Sequence, residues 1–299
     1  MLVGVVDPGP AVRYRVSDIG RGDTAETILD RLEAEVGKAI AAVGLGIPCT
    51  IDRERGLAIS AVNLPIVDVP VRDEMRARLG LPVFVDNDAN LAALAEHRYG
   101  AAREARNAVM LTVGTGIGGG MVLDGQLYRG STGAGAELGH VVVDDDGPPC
   151  QGNCPNRGCV ETFASGVALA REGAAAAERA PGSELGRRLA AGEPIDGRVV
   201  TNAALEGDEV AAEVVRSAGA SLGVALASLA NAFEPEVIVV GGGVMAAGEL
   251  LLEPARAEVR ARALPPQNAT PVVAAELGPD AGMVGAATMA LDELEAVSA

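Results

Sequence analysis

Short uninterrupted apolar runs alternate along this chain with stretches in which apolar residues recur every third or fourth position. Runs of the first kind, bounded by Gly, Pro, Asn or Asp, fit strands buried on both faces. The second kind fits helices with one buried side. Residues 2–6 and 12–16 read as two strands joined by a turn at Asp7-Pro8-Gly9-Pro10. Ile28, Leu32, Val36 and Ile40 lie four apart and predict a helix over 24–42. Strands follow at 43–47 and 81–85, with a short helix at 71–79 between them and a helix from about 88 to 99 after them. The apolar pattern pauses at 101–106, which places a lobe boundary there, with lobes 1–105 and 106–299. Beyond it, 108–113 and 120–123 read as strands and 164–191 as an Ala-rich helical region. Then come a long helix at 208–232, a strand at 237–240, a helix at 249–262, a strand at 272–275 and a closing helix at 282–297. Alternation of this kind predicts an α/β protein.

Composition narrows the chemistry. Aromatic residues make up 2% of the chain and Trp is absent, against 48% hydrophobic residues overall, so Ala, Val, Leu and Ile must build the core. Lys+Arg of 24 against Asp+Glu of 41 leaves a net charge of −17. That balance disfavours a nucleic-acid-binding surface and favours small-molecule substrates. Lys38 is the only lysine, which removes most lysine-dependent mechanisms. No stretch reaches the roughly 18 to 20 uninterrupted apolar residues of a membrane span, and the opening residues do not form a signal peptide. The expectation is a cytoplasmic protein without a membrane partner, in which clustered cysteines are metal ligands, not disulfides. Cys49, at the end of an apolar run, reads as a buried core thiol.

Residues 137–161 concentrate the unusual side chains. His140 precedes Cys150, Cys154 and Cys159, a complete tetrahedral set for a structural Zn2+. Glu137 and Glu161 bracket these ligands. Upstream, Gly114, Thr115, Gly116, Gly118 and Gly119 form a glycine-rich turn. The sequence after it alternates like a strand, so it is not a dinucleotide fingerprint. It is either a tight hairpin or a nest of N–H groups facing phosphate. Asp88 stands where a strand meets a helix. A carboxylate there suits a general base, though Asn87 or Asp88 capping the helix is the simpler local role. Gly241, Gly242 and Gly243 after a buried strand allow close approach of a ligand, or make an ordinary turn.

Taken together and in order, VDNDAN, LTVGTGIGGG, ELGH, the cysteine cluster, CVETFASG, NAFEPEVIVVGGGV and DAGMVGAA resemble the bacterial sugar kinases of the repressor–open-reading-frame–kinase (ROK) family, most of all its glucokinases. The resemblance spans essentially the whole chain. It implies an actin/hexokinase-like fold, with two ribonuclease-H-like lobes, a cleft between them and a zinc loop. It also implies ATP- and Mg2+-dependent phosphorylation of a hexose, with glucose foremost and N-acetylmannosamine, N-acetylglucosamine, fructose or allose as alternatives. By motif, Asp88 is the implied general base. Asn63, Asn87, Glu137, His140 and Glu161 are the implied sugar ligands, with His140 also on zinc. The glycines from Gly114 to Gly119 would cradle phosphates, and Gly241, Gly242, Gly243 and Gly282 would border the nucleotide. A homo-oligomer, dimer or tetramer, is implied as well.

Two departures stand out. Three residues separate the first two cysteines where the family more often has one. The family's opening Asp-x-Gly-Gly-Thr phosphate loop has no counterpart, because Asp7-Pro8-Gly9-Pro10 lacks the N–H donors of a phosphate nest. The expectation is that the sequence starts one strand and one loop late. If that loss is real, a catalytically impaired sugar-binding protein is the alternative. A DNA-binding repressor of the family would need an additional helix-turn-helix domain.

Overall fold

Two strands lying parallel organise the first part of the molecule: β3 (Val43–Ile47) and β7 (Val83–Asn87) pair with Leu45 opposite Val85 and Ile47 opposite Asn87. Each strand buries alternate apolar residues in one core, Val43 and Leu45 on β3 and Val83 and Val85 on β7. The computed structural model describes residues 2–6, 12–17, 24, 26–27, 30, 41–61 and 66–298. Asn63, the turn at residues 7–10 and most of the helix expected over 24–42 lie outside these. The chain divides into two units, one of Met1–Glu104, Gly120–Ala136 and Leu277–Ala299, the other of Ala105–Gly119 and Glu137–Glu276. This differs from a single cut after residue 105, since two later segments return to the first unit.

In the first unit β1 (Leu2–Val6) and β2 (Val12–Ser17) form an antiparallel pair. A second, three-stranded antiparallel sheet holds β4 (Thr50–Asp52), β5 (Leu57–Ser60) and β6 (Val67–Val69) in that order. Helix α1 (Val71–Leu79) stops at Gly80, whose φ of 64° is left-handed. Val43, Leu45, Ile51, Met75, Val83 and Val85 form one buried cluster. Helix α2 (Asp88–Tyr99) lies against the closing helix α9 (Ala281–Ser298), with Leu91, Leu94 and Met289 buried together. Glycines set the closeness of this packing. A Cβ on Gly285 would sit 1.8 Å from the carbonyl of Leu91, and one on Gly44 would sit 1.9 Å from that of Ala286. The closing helix therefore belongs with the first unit because it buries its small-residue face there.

In the second unit β11 (Val237–Gly241) is buried along its whole length, between β8 (Ala108–Val113) and β12 (Val272–Ala274), both parallel to it. Strand β9 (Ile117–Leu123) flanks β8; its distal half lies in the first unit, where it pairs antiparallel with β10 (Gln126–Tyr128). β9 thus starts three residues earlier than the pattern suggested, because glycine hid the strand. Gly120 is needed there, since a Cβ would sit 2.5 Å from that of Ala93. The helical region expected over 164–191 divides at Pro181-Gly182 into α4 (Gly166–Arg179) and α5 (Glu184–Ala190), preceded by the short α3 (Glu161–Ala164). Pro and Gly end a helix and Ser183 caps the next one, its side chain accepting the Gly186 N–H. Helices α6 (Gly197–Leu205), α7 (Glu209–Phe233) and α8 (Glu249–Arg262) follow. Glycines again allow contact: a Cβ on Gly219 of α7 would stand 2.3 Å from the carbonyl of Leu251 on α8. By length and composition α7 meets the requirements of a membrane span, but 56% of its apolar window is buried within the fold, as expected of a core helix.

Candidate active site

The end of β7 and the start of α2 carry a cluster of polar groups. Asn87 caps the helix: its Oδ1 accepts the N–H groups of Ala89 (2.9 Å) and Asn90 (3.2 Å), and its Nδ2 donates to the carbonyl of Cys49 (3.2 Å). The cap is therefore filled by Asn87, and Asp88 is the first residue of the helix proper. Asp88 is exposed, with Oδ1 accepting the Ala89 N–H at 2.9 Å. The protein around it nevertheless desolvates the carboxyl enough to push its pKa upward, against the pull of the helix N–H groups. Cys49 is buried at 5% exposure, as expected, and its thiol is pushed up to about 12, first by burial and then by the charge of Asp88.

Asp86, which the sequence reading passed over, is 1% exposed. Its Oδ1 accepts from the N–H of Asn87 (2.8 Å) and from Nδ2 of Asn90 (3.2 Å), and its Oδ2 accepts from Nε of Arg129 (2.6 Å). A signal was available: a carboxylate closing an otherwise apolar strand must have partners if it is buried. Gly282 lies in the same unit, where a Cβ would come 3.9 Å from the Asp88 carbonyl.

In the second unit the glycine-rich turn is bound to Glu161. The Ile117 N–H donates to Glu161 Oε2 at 2.7 Å, and a Cβ on Gly116 would stand 2.3 Å from the same oxygen. Glu161 itself is 9% exposed. Gly114 N–H donates to the Gly116 carbonyl, while the N–H of Gly166, at the start of α4, donates to the Gly114 carbonyl. Among the described residues the N–H groups of Thr115 and Gly116 have no partner, so two consecutive donors remain for a ligand. Gly118 and Gly119 lie within β9. Of the other three glycines, Gly242 is fixed by packing: its φ is 92° and a Cβ would meet Val113 at 2.4 Å. Gly241 is close-packed against Met110 and Ala275, whereas Gly243 faces open space.

The third group is the cysteine loop. Glu137 is exposed and precedes a 3₁₀ turn, Leu138–His140, held tight to the glycine turn: a Cβ on Gly139 would stand 2.0 Å from the Ile117 carbonyl. The loop closes on itself through bridges of Val142 with Cys159 and Pro149 with Arg157. Gly158 has φ 63°, and a Cβ there would overlap the Asp144 carbonyl at 1.4 Å. The ligand atoms of His140, Cys150, Cys154 and Cys159 all lie within 4.8 Å of one another. Donors around a tetrahedral zinc stand about 3.5–3.8 Å apart; here His140 Nδ1 is 3.4 Å from Cys150 Sγ, and Cys154 Sγ is 3.9 Å from Cys159 Sγ. The sulfur separation is far beyond the roughly 2.0 Å of a disulfide. Burial, followed by the neighbouring thiols, pushes Cys150 well above an ordinary thiol. One imidazole and three sulfurs at these separations fit a tetrahedral metal.

Over 97% of its length the chain superposes on 96% of a ROK family glucokinase from Streptomyces griseus in complex with glucose and AMPPNP, with a TM-score of 0.86 and 37% identity. That likeness defines an α/β protein of the actin/hexokinase-like class, as the motifs implied. A model of the ROK family matches residues 21–293. The glucokinase of Streptomyces coelicolor is 39% identical over 89% of this chain and 87% of its own length. That of Thermotoga maritima is 40% identical over 89% and 83%. The chain belongs to the ROK family.

Proposed function

We propose that this chain is an ATP-dependent hexose kinase that converts glucose to glucose 6-phosphate. The observation that carries the chemistry is the division of labour at the start of α2: Asn87 satisfies the helix N–H groups, leaving an accessible carboxylate of raised pKa on Asp88. A raised pKa makes Asp88 a stronger base than an ordinary aspartate. It takes the proton of the sugar 6-hydroxyl as that oxygen attacks the γ-phosphorus of ATP and the bond to ADP breaks. The identities of 39–40% to glucokinases support glucose as the acceptor.

Asn63, Asn87, Glu137, His140 and Glu161 hold the sugar hydroxyls. Asn87 has spent its carbonyl oxygen on the cap and one amide hydrogen on Cys49, so it offers a single N–H. Glu161 offers Oε1, since Oε2 is engaged by Ile117. His140 turns Nδ1 toward the cysteines and so presents Nε2 to the sugar. His140, Cys150, Cys154 and Cys159 would hold a structural Zn2+, which fixes the loop and the tautomer of His140. The free N–H groups of Thr115 and Gly116 and the open backbone at Gly243 face the phosphates, with Gly114, Gly118, Gly119, Gly241, Gly242 and Gly282 shaping the surrounding backbone. Mg2+ accompanies the nucleotide and neutralises its charge. The working form is a cytoplasmic homo-oligomer.

An ADP-release assay across glucose, mannose, fructose, allose and the N-acetylated hexosamines tests this reading, with ATP and polyphosphate compared as donors. Turnover highest with glucose and ATP supports it. ADP release with none of the sugars overturns it.

A further inference from the structure

The buried carboxylate of Asp86 touches two residues of the reactive turn and belongs to none of the roles above. It stands one residue before the helix cap and two before the proposed base. Its Oδ1 takes the backbone N–H of Asn87 (2.8 Å) and the side-chain amide of Asn90 (3.2 Å), so the cap residue and the first turn of α2 are both held to it. Its Oδ2 takes Nε of Arg129 at 2.6 Å, and Arg53 Nε lies 3.8 Å away. Arg129 follows β10, and Arg53 pairs with Glu293 on the closing helix. One carboxylate thus ties the turn to three separate parts of the unit.

Asn90 bears on what this network is for. It is 1% exposed and its Oδ1 has no partner among the described residues. An apolar residue would avoid burying an unmatched carbonyl oxygen. What Asn90 supplies in return is the amide donor to Asp86.

Resting on the reading of Asp88 as the base, we infer that Asp86 is a positioning residue for phosphoryl transfer, with Arg129 and Asn90 as its partners. It holds the Asn87 backbone, and through the cap the first turn of α2, so that the Asp88 carboxylate is aimed at the attacking hydroxyl. Misplacement of a catalytic group by about 1 Å costs up to about a hundredfold in rate. Asp86→Asn would set an amide donor against the Arg129 guanidinium and loosen the turn without touching the substrate.

The test is steady-state kinetics of Asp86→Asn, Arg129→Ala and the double variant, each well below its own melting temperature, beside Asp88→Asn. The expected result is a kcat lowered about ten- to hundredfold in both single variants, with the glucose KM changed less than about threefold. The double variant should be no slower than the slower single one, because both break the same link. A role confined to stability would lower the melting temperature and leave kcat in place. Folded variants with kcat within about twofold of wild type overturn the inference, and Arg129→Ala alone decides it if Asp86→Asn does not fold. If Asp88→Asn keeps its turnover, the base reading has failed and takes this inference with it. If Asp88→Asn is inactive while the other two are unimpaired, only the inference about Asp86 is lost.

Discussion

Glu161 holds the N–H of Ile117 at 2.7 Å, and its carboxylate fills the space that a side chain on Gly116 would need. The glycine turn and the residue that closes the cysteine loop are therefore one device, although 44 positions separate Ile117 from Glu161. Gly116→Ala should push the carboxylate aside and strand the buried Ile117 N–H, at about 1–3 kcal/mol. The obstacle is the flexible end of a side chain, so the fold should survive. Gly139→Ala, which meets the Ile117 backbone at 2.0 Å, should cost more. Chemical denaturation of the two variants, with glucose titration of the first, checks the ordering and the expected loss of sugar affinity.

Asp88→Asn should lower kcat by about 10²- to 10⁴-fold without destabilising the protein. Folding raises the Asp88 pKa, so the folded chain holds that proton more tightly than the unfolded chain. The stability associated with this group is fully present below the unfolded pKa of about 3.9 and is lost as pH rises through the folded value. At neutral pH the ionised carboxylate is a burden that the amide lacks. The melting temperature of the variant at pH 7 should equal or exceed that of the wild type. The wild-type kcat/KM should fall on the acid side at a pH above the ordinary aspartate range.

Two changes at Asn87 separate its cap from its amide. Asn87→Ala removes the acceptor of two helix N–H groups and should cost about 1 kcal/mol of stability. Asn87→Asp keeps the acceptor but loses the donor to Cys49 and the second N–H proposed to reach the sugar, so it should stay folded and bind glucose more weakly. Urea denaturation and calorimetric titration measure the two effects independently.

Cys154→Ser removes one of four clustered side chains that could hold a metal ion. Metal content should fall from about one zinc per chain, and stability should drop on the order of 4 kcal/mol. Chelator treatment of the wild type should reproduce that drop, read by metal analysis and thermal melting. A variant that keeps both its metal and its melting temperature would show that the cluster does not bind zinc.

Local pattern alone was enough for much of this molecule. The apolar runs over residues 108–113 and 237–240 became buried strands, because a parallel strand covered on both faces must be apolar throughout, and the run over 43–47 became a strand that buries Val43 and Leu45. Helix α7 kept the extent its pattern predicted to within a residue at each end. The four metal-ligand candidates were legible from residue type and spacing, since few other arrangements use His and three Cys so close together. Where glycine made up the strand, at the start of β9, the pattern gave no signal.

By itself the sequence determined the α/β order of elements, the grouping of His140, Cys150, Cys154 and Cys159 as candidate metal ligands, and the family. Those depend on residues near one another in the chain. Tertiary structure decided that Asn87 and not Asp88 caps α2, that Asp86 is buried against Arg129, and that Glu161 grips Ile117. It also decided that the closing helix returns to the first unit. Asp86 and Arg129 are 43 positions apart, and a buried carboxylate takes whichever donor the fold brings to it. That choice is made by the packing of distant segments and leaves no periodicity for the sequence to display.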